Sequence, residues 1–338
     1  MKRKKINDKN IDLNEDKTHE PEILHEIKIA YAKSGLENTF TSFLYNDIPY
    51  LVFATNKKSL ISYNLNHLNI NTEIKHAHED YISKVKSYEK NNNNIIYILS
   101  ISSGCNNVKI WNFKNWECIF NLSQNHIIGS MFSSIYLTKD NKDYVITSSS
   151  NDSEYIKLFD FKGNEIFIFD DSQGKVLTLD YLIDKNKYYI IAGFSGFLKS
   201  FDFDENKLYH KYFESKFTDW HSSIKINSSD NIIKLIDSCW DDDYLRIWDF
   251  HKGILLSKFQ IGGTTIRTIC QADENYYYIG CRDHSIKFVD IKNEKVLKSF
   301  CIHKDWVCTI RKIKTAKFGE CFASQGLTDK EVIKIWKQ

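Results

Sequence analysis

The chain has 338 residues, of which 42% are hydrophobic and 14% aromatic, so it can bury a large core and is not a disordered polymer. Its two prolines and 13 glycines exclude collagen-like and proline-rich classes. The formal net charge is +2; residues 1–9 carry five basic residues and Asp8, a net +4, which leaves −2 for the remainder. A body so close to neutrality lacks the broad basic surface that direct nucleic-acid binding requires.

The beginning of the chain is basic and polar. It carries the run KRKK (residues 2–5) and has no apolar segment typical of a secretory signal peptide. We predict a disordered tail over residues 1–21 and a cytoplasmic protein, with nuclear import through the basic run left open. No stretch of about 18 apolar residues predicts a membrane span. The eight cysteines form no CxxC pair and are predicted to be free thiols in a reducing compartment.

Short segments in which apolar and polar residues alternate recur along the chain and predict β-strands. The most regular is LRIWDF, residues 245–250, and six other segments repeat its pattern with an aromatic or aliphatic residue at the Trp248 position. In chain order the seven copies are LISYNL (60–65), VKIWNF (108–113), IKLFDF (156–161), LKSFDF (198–203), LRIWDF (245–250), IKFVDI (286–291) and IKIWKQ (333–338). They begin 41 to 48 residues apart, a period typical of repeat architectures.

The intervals between the copies are also strand-like rather than helical. Examples are WVCTIRKI (306–313) for an inner strand, CFASQG (321–326) for a middle strand and VLKSFCI (296–302) for a fourth strand. A single four-stranded sheet of this size has two apolar faces, and packing the sheets radially covers both of them. The sequence therefore predicts an all-β fold, a seven-bladed β-propeller of four-stranded antiparallel blades.

These repeats resemble those of the WD40-repeat family over residues 22–338. Besides the third-strand copies, AHEDYISKV (77–85) and IHKDWVCTI (302–310) resemble the family's upstream His element, and GCRDHSIKFVD (280–290) resembles its Asp turn. The copies are degenerate, and no blade plainly holds the family's full tetrad of His, Ser or Thr, Asp and Trp. The last copy ends at Gln338, and the resemblance implies that an N-terminal strand, EILHEIKIAY (22–31), closes the last blade.

The resemblance also implies that the residue just before the first buried position of each inner strand points to one face and contacts partners. When the inner strands of the seven repeats are aligned, the residues at this position are Thr39, Tyr81, Met131, Lys175, Trp220, Thr265 and Trp306. A second position, at the end of the middle strand, gives Phe194, Trp240 and Arg282. Because aromatic residues and Arg are enriched at interface hot spots, we predict partner binding by Tyr81, Phe194, Trp220, Trp240, Arg282 and Trp306. A register error of one residue would turn such a side chain to the other face.

Two clusters have spacings that metal sites use. His76 and His78 lie on one face of a strand, as in some zinc sites, but His78 aligns with His303 in the repeat, which favours a structural role. The aspartates at 241–243 lack the glycine and terminal glutamate of a calcium loop, which favours a structural turn. We predict no bound metal and no cofactor.

The sequence contains no GxSxG, no Cys–His signature, no phosphate-binding loop and no dinucleotide fingerprint. We therefore predict a non-catalytic scaffold that binds a protein or peptide segment as part of a larger complex, without direct nucleic-acid contact or a small-molecule substrate. Two alternatives stay open. One is a nuclear, chromatin- or nucleic-acid-associated WD40 subunit guided by the basic tail; the other is an enzyme with a site in the central channel.

Overall fold

A computed structural model describes residues 20–28, 40–55, 58–90, 94–123, 131–149, 151, 155–214, 221–229, 232–239, 242–262, 265–327 and 332–338. Within these ranges the chain forms 28 β-strands, grouped into seven four-stranded antiparallel sheets. The sheets are the blades of a ring, which confirms the predicted all-β, seven-bladed propeller. None of the described residues belongs to a helix long and apolar enough to cross a membrane.

The strands fall into four positions in the blade. The innermost strands are β2 (Phe40–Tyr45), β6 (Lys84–Lys90), β10 (Met131–Lys139), β14 (Val176–Asp184), β18 (His221–Ser229), β22 (Ile266–Gln271) and β26 (Val307–Thr315). The second strands are β3 (Ile48–Ala54), β7 (Ile95–Ser102), β11 (Lys142–Ser149), β15 (Lys187–Phe194), β19 (Ile232–Cys239), β23 (Tyr276–Cys281) and β27 (Gly319–Gly326). The third strands are β4 (Leu60–Asn64), β8 (Asn107–Asn112), β12 (Lys157–Asp160), β16 (Leu198–Asp202), β20 (Tyr244–Asp249), β24 (Ile286–Asp290) and β28 (Val332–Lys337). The outermost strands are β5 (Asn69–Ile74), β9 (Cys118–Leu122), β13 (Glu165–Ile168), β17 (Lys207–Tyr212), β21 (Ile254–Gln260), β25 (Lys295–Phe300) and β1 (Glu22–Lys28).

Apolar side chains on both faces of the second and third strands pack between neighbouring blades. Seven hydrophobic clusters result, and each joins two adjacent blades. Between blades six and seven, for example, the fully buried Trp336 packs edge-on against Tyr278, with ring centroids 5.0 Å apart. The outermost strands have one side open to solvent, as in β5, where no residue is fully buried. The core is thus a ring of inter-blade layers rather than one central mass.

The N-terminal strand β1 closes the seventh blade, as predicted. It pairs antiparallel with β28, and Ile27 lies opposite Ile333. Ile27 is 3% exposed and belongs to the cluster that joins blade seven to blade one. The observed strand ends at Lys28, and residues 29–31 of the predicted segment lie outside the described residues. The closure pairs the edge that β28 would otherwise present to solvent.

Every outermost strand contains a β-bulge at the same register. In each blade one extra residue interrupts the pairing beside the third-strand position that Trp248 occupies in β20. The extra residues are Leu24, Asn71, Ile119, Ile166, Tyr209, Leu256 and Leu297. Because β1 carries this bulge too, it reproduces the fourth-strand geometry of the other six blades.

Candidate partner-binding face

One face of the ring, which we call the upper face, carries the starts of the inner strands and the connections from second to third strands. Tyr81 and Trp306 lie just before or at the entry to β6 and β26, and Arg282 lies between β23 and β24. The structure therefore places these three predicted residues at the upper face. Tyr81 is 37% exposed, Arg282 is exposed and Trp306 is half-buried.

Arg282 and Trp306 form a cation–π pair across the boundary between blades six and seven. The Arg282 guanidinium carbon lies 4.2 Å from the Trp306 ring centroid, within cation–π range. A second guanidinium, that of the buried Arg267 in β22, lies 5.4 Å from the same ring. The indole is thus held by two cations while part of its surface stays open to solvent.

Backbone hydrogen bonds fix the position of this pair. The Arg282 N–H donates to the Thr265 carbonyl at 2.9 Å, and the Leu327 N–H donates to the Trp306 carbonyl at 2.8 Å. The Trp306 N–H donates to the Asp305 carboxylate at 2.6 Å. A pair held on both sides loses little conformational entropy when a partner contacts it, a property that favours binding.

Tyr81 in blade two has the same local arrangement as Trp306 in blade seven. Its N–H donates to the carboxylate of the preceding Asp80 at 2.7 Å. A Cβ atom on Gly104 would overlap that carboxylate, so only glycine leaves room for it. An aspartate followed by an aromatic residue is thus a local sequence motif that positions the aromatic residue at the upper face. The dipeptide recurs at 219–220, outside the described residues.

The structure corrects the predicted surface position of Phe194. Its side chain is 1% exposed and belongs to the cluster between blades three and four. The Phe194 N–H donates to the Phe197 carbonyl at 2.9 Å, and the turn folds the Phe197 ring over the Phe194 ring, with centroids 5.1 Å apart. The remaining two predicted residues, Trp220 and Trp240, lie outside the described residues.

Two features of the upper face were not found from the sequence. One is Arg267 of the inner strand β22, whose guanidinium carbon lies 5.4 Å from the Trp306 ring centroid. Phe213, after β17, is 55% exposed, and the Lys211 ammonium lies 5.4 Å from its ring centroid. The local sequence YFES around Phe213 carries no repeat signature, so only the fold could show its exposure.

Two blades contain a buried hydrogen-bonded set of His, Ser and Trp. In blade two the Trp111 indole donates to the Ser100 hydroxyl at 2.9 Å, and that hydroxyl lies 2.7 Å from His78 Nε2. In blade seven Trp336, Ser324 and His303 repeat both distances. Each set supplies three of the four residue types of the tetrad, and the set in blade two gives His78 the structural role that its alignment favoured.

Burial keeps the His78 imidazole neutral. Desolvation, assisted by the Lys109 charge, lowers the pKa of His78 from 6.5 to about 3. Its Nδ1 atom is buried and has no hydrogen-bond partner among the described residues. His76 is exposed and adopts a left-handed backbone conformation with φ of 52°. The two imidazoles therefore lie in different environments.

Four third strands carry a lysine that supports a loop of the upper face. In VKIW, LKSF, IKFV and IKIW the lysine ammonium donates a hydrogen bond to a carbonyl group in the preceding loop. The pairs are Lys109 with Ala77, Lys199 with Asp171, Lys287 with Ile261 and Gly262, and Lys334 with Ile302. These lysines satisfy carbonyl groups of irregular loops, which is a structural use of a side chain that looks available for binding.

Blade five replaces this lysine with Arg246, which organises the acidic cluster of the same blade. The Arg246 guanidinium, whose side chain is 2% exposed, pairs with Asp242 and, at 3.3 Å, with Glu214. Asp243 accepts two hydrogen bonds from Gln260, at 3.1 and 2.9 Å. Asp242 and Asp243 therefore serve intramolecular contacts, in agreement with a structural turn; Asp241 lies outside the described residues.

Two lysines of blade two donate hydrogen bonds to the inner strand of blade four. The Lys84 ammonium donates to the Leu177 carbonyl at 2.9 Å, and the Lys86 ammonium donates to the Leu179 carbonyl at 3.0 Å. The Leu179 N–H donates to the Ser133 hydroxyl of blade three at 3.1 Å. The free edge of β14 is thus paired by side chains, and these two cations take part in the packing of the inner strands.

Comparison with known proteins gives a partial similarity to a curated protein. No protein-family model matches the chain. A stretch of 76 residues is 26% identical to U3 small nucleolar RNA-associated protein 21 homolog of Schizosaccharomyces pombe. It covers 22% of this chain and 8% of that protein, so the chain matches less than a tenth of its relative. By its structure, the protein is a seven-bladed β-propeller.

Proposed function

We propose that the protein is a non-catalytic scaffold that binds a protein or peptide segment on its upper face as a subunit of a larger assembly. The closed ring supplies a rigid frame, and Tyr81, Arg282 and Trp306 supply anchor side chains at its surface. Large aromatic side chains and arginines contribute most of the binding free energy at many interfaces, because they bury much area with few rotatable bonds.

The observation that carries this proposal is the Arg282–Trp306 pair. Two guanidinium carbons lie 4.2 and 5.4 Å from the Trp306 ring centroid, yet the Trp306 side chain is only half-buried. A partner segment that covers it would desolvate the aromatic surface and strengthen the cation–π contact. Arg282 has no carboxylate within ion-pair distance among the residues that the structure describes, so its guanidinium can donate hydrogen bonds to a partner's carboxylate or carbonyl oxygens.

We also propose membership of the WD40 family. The support is the pair of His–Ser–Trp sets in blades two and seven, together with the repeat length. In both sets the described residues supply three of the tetrad's four partners, and the unpaired Nδ1 of His78 is where the aspartate is missing. The blades are therefore degenerate members of the pattern that the sequence resembles.

The test compares the partners of the tagged full chain with those of Trp306→Ala and Arg282→Glu variants. Partners captured from the source cells are quantified by mass spectrometry. Ile183→Ala, which truncates a 49% exposed side chain at the opposite face, is the matched control. We expect both upper-face variants to lose the same partners by at least about tenfold while the control keeps them. Unchanged partners in folded variants would contradict the proposal.

The Arg282→Glu variant keeps the binding test separate from stability. Its side chain is exposed, and the cation–π contact with Trp306 that it removes contributes about 0.5–1 kcal/mol, so the variant should unfold within about 1 kcal/mol of the parent chain. If Trp306→Ala unfolds the blade while Arg282→Glu stays folded and keeps every partner, the indole is a core residue and the proposed face is wrong. The predicted anchors Trp220 and Trp240 stay predictions, and alanine variants of each extend the same comparison.

A second candidate is association with a nuclear ribonucleoprotein assembly. The observation that favours it is the similarity to a protein named for association with U3 small nucleolar RNA. The basic run at residues 2–5 fits nuclear import, whereas the net charge of the remainder favours contact through proteins rather than through RNA. Removing residues 2–5 should shift a fluorescently tagged chain from nucleus to cytoplasm, and partner capture should survive ribonuclease. A cytoplasmic parent chain would contradict this candidate.

A further inference from the structure

A small apolar cavity opens on the face opposite the upper face, which we call the lower face. It lies between blades seven and one and has a volume of about 280 Å³. Phe43, Leu44 and Tyr50 of blade one form one wall, and Ile313 of blade seven forms the other. Leu44 at its rim is 51% exposed, although a leucine side chain gains free energy when it is removed from water.

The walls of this cavity are held by contacts to both neighbouring blades. The Phe43 ring stacks on the Tyr50 ring at a centroid distance of 6.1 Å and packs edge-on against Phe113 of blade two at 4.7 Å. The Ser42 hydroxyl donates to the Lys312 carbonyl of blade seven at 3.4 Å, across the cavity boundary. The cavity is therefore largely pre-formed, as binding pockets generally are.

The rim of the cavity on blade seven is positively charged. Lys312 and Lys314 both line it, and the same hairpin carries Arg311 and Lys317 against a single acidic residue, Glu320. Lys312 pairs with Glu320 at 3.4 Å and donates to a carbonyl of blade six. For Lys314, which is exposed, no described residue provides a carboxylate within ion-pair distance. An apolar floor beside an uncompensated cation is complementary to a ligand with an apolar group flanked by negative charge.

We propose that this cavity is a second docking site, separate from the upper face, for an acidic peptide segment of a protein partner. One large apolar side chain of the segment would fill the space between Leu44 and Ile313. Acidic residues on either side of it would meet Lys312 and Lys314. The volume suits a single side chain rather than a drug-sized molecule, since small-molecule sites enclose roughly 300–1,000 Å³ and surround their ligand.

The test uses methyl-selective NMR of the full chain, because it locates binding as well as detecting it. The probe is an acetylated, amidated Glu-Gly-Glu-Trp-Glu-Gly-Glu peptide. We expect saturable shifts of the methyl groups of Leu44, Leu65 and Ile313, with a dissociation constant on the order of 1 mM for so short a segment. Methyl groups of Ile254 and Leu297, on outer strands of blades five and six, should not shift.

Two further peptides and decanoate separate the contributions of the acidic residues, of the tryptophan side chain and of the peptide itself. A peptide with Lys in place of Glu, or with Ala in place of Trp, should bind at least about fivefold more weakly. Equal binding of all three peptides would overturn the proposal. So would shifts of the cavity methyl groups by decanoate alone, since the site would then accept an amphiphilic small molecule rather than a peptide.

Variants of the rim complete the test. Lys314→Glu should weaken the acidic tryptophan peptide by about fivefold, and Leu44→Asp should abolish saturable binding. Lys295→Glu and Leu297→Asp make the same exchanges at exposed positions of an outer strand and should leave the dissociation constant unchanged. Both rim positions are exposed, so the variants should keep the parent's unfolding midpoint. If the folded rim variants bind as well as the controls, the proposal fails.

Discussion

Replacing Ile27 with alanine tests how strongly the closing strand holds the ring together. The Ile27 side chain is 3% exposed and packs in the cluster between blades seven and one, so its removal leaves a cavity there. Truncation of a buried isoleucine costs about 3 kcal/mol. Ile23 in the same strand is 43% exposed, so its truncation to alanine should cost less than about 1 kcal/mol. Both variants keep the backbone pairing of β1 with β28.

The magnitude can be measured by urea unfolding, followed through the fluorescence of the seven tryptophans. At about 2.1 cal/mol/K per residue, a chain of this length has an unfolding entropy of about 0.7 kcal/mol/K, so 3 kcal/mol corresponds to a melting temperature lower by about 4 °C. Deleting residues 22–31 removes the whole pairing and should lower it further. Equal effects of the Ile27 and Ile23 substitutions, or unchanged unfolding of the deletion, would refute the idea that β1 closes the ring.

Three further predictions concern side chains that support the upper face. The pKa of His78 is about 3 in the folded chain and 6.5 in the unfolded chain, so between these pH values only the unfolded chain binds the proton. The free energy of unfolding should therefore fall as the pH drops from 6.5 to about 3, by up to about 1.4 kcal/mol per pH unit. The variant His78→Gln should show a smaller dependence on pH in acid titrations followed by fluorescence. Lys199→Met, which leaves the Asp171 carbonyl without its ammonium donor, should cost about 1–3 kcal/mol in urea unfolding, whereas a cost below 0.5 kcal/mol would show that the contact is dispensable. Gly104→Ala should cost about 1 kcal/mol by displacing the Asp80 carboxylate, and the cost should disappear in an Asp80→Ala background; a cost that persists there would contradict this account.

The architecture could be predicted from the sequence because each blade repeats one strand pattern at a nearly constant interval. Seven copies of the third strand predict seven blades, and the pairing of β1 with β28 confirms that the N-terminal segment supplies the fourth strand of blade seven. The bulges could not be predicted in this way. Five of the residues they insert are Leu or Ile, but Asn71 in blade one and Tyr209 in blade four occupy the same position, since the bulge depends on backbone pairing opposite the third strand.

The upper face was predictable only where local chemistry fixes the backbone. Tyr81 and Trp306 reach the expected surface because the aspartate before each one accepts its N–H. Phe194 does not reach the surface, because the turn after β15 folds the Phe197 ring onto the Phe194 ring. An irregular turn changes which side of the blade a residue faces. Arg267 was missed for a related reason, since it is the extra residue of an inner-strand bulge, between the paired positions 266 and 268.

Most side chains that look ready to bind a ligand are used by the fold itself. The third-strand lysines hold loop carbonyls, Lys84 and Lys86 pair the free edge of β14, and the acidic cluster of blade five surrounds Arg246. Sequence reasoning cannot separate these cations from binding cations, because both look alike in the repeat. Contact geometry separates them: Arg282 on the upper face and Lys314 on the lower face are exposed cations for which the described part of the chain supplies no carboxylate. Since these two residues lie on opposite faces of the ring, one partner segment cannot neutralise both, and binding at each face should be lost independently.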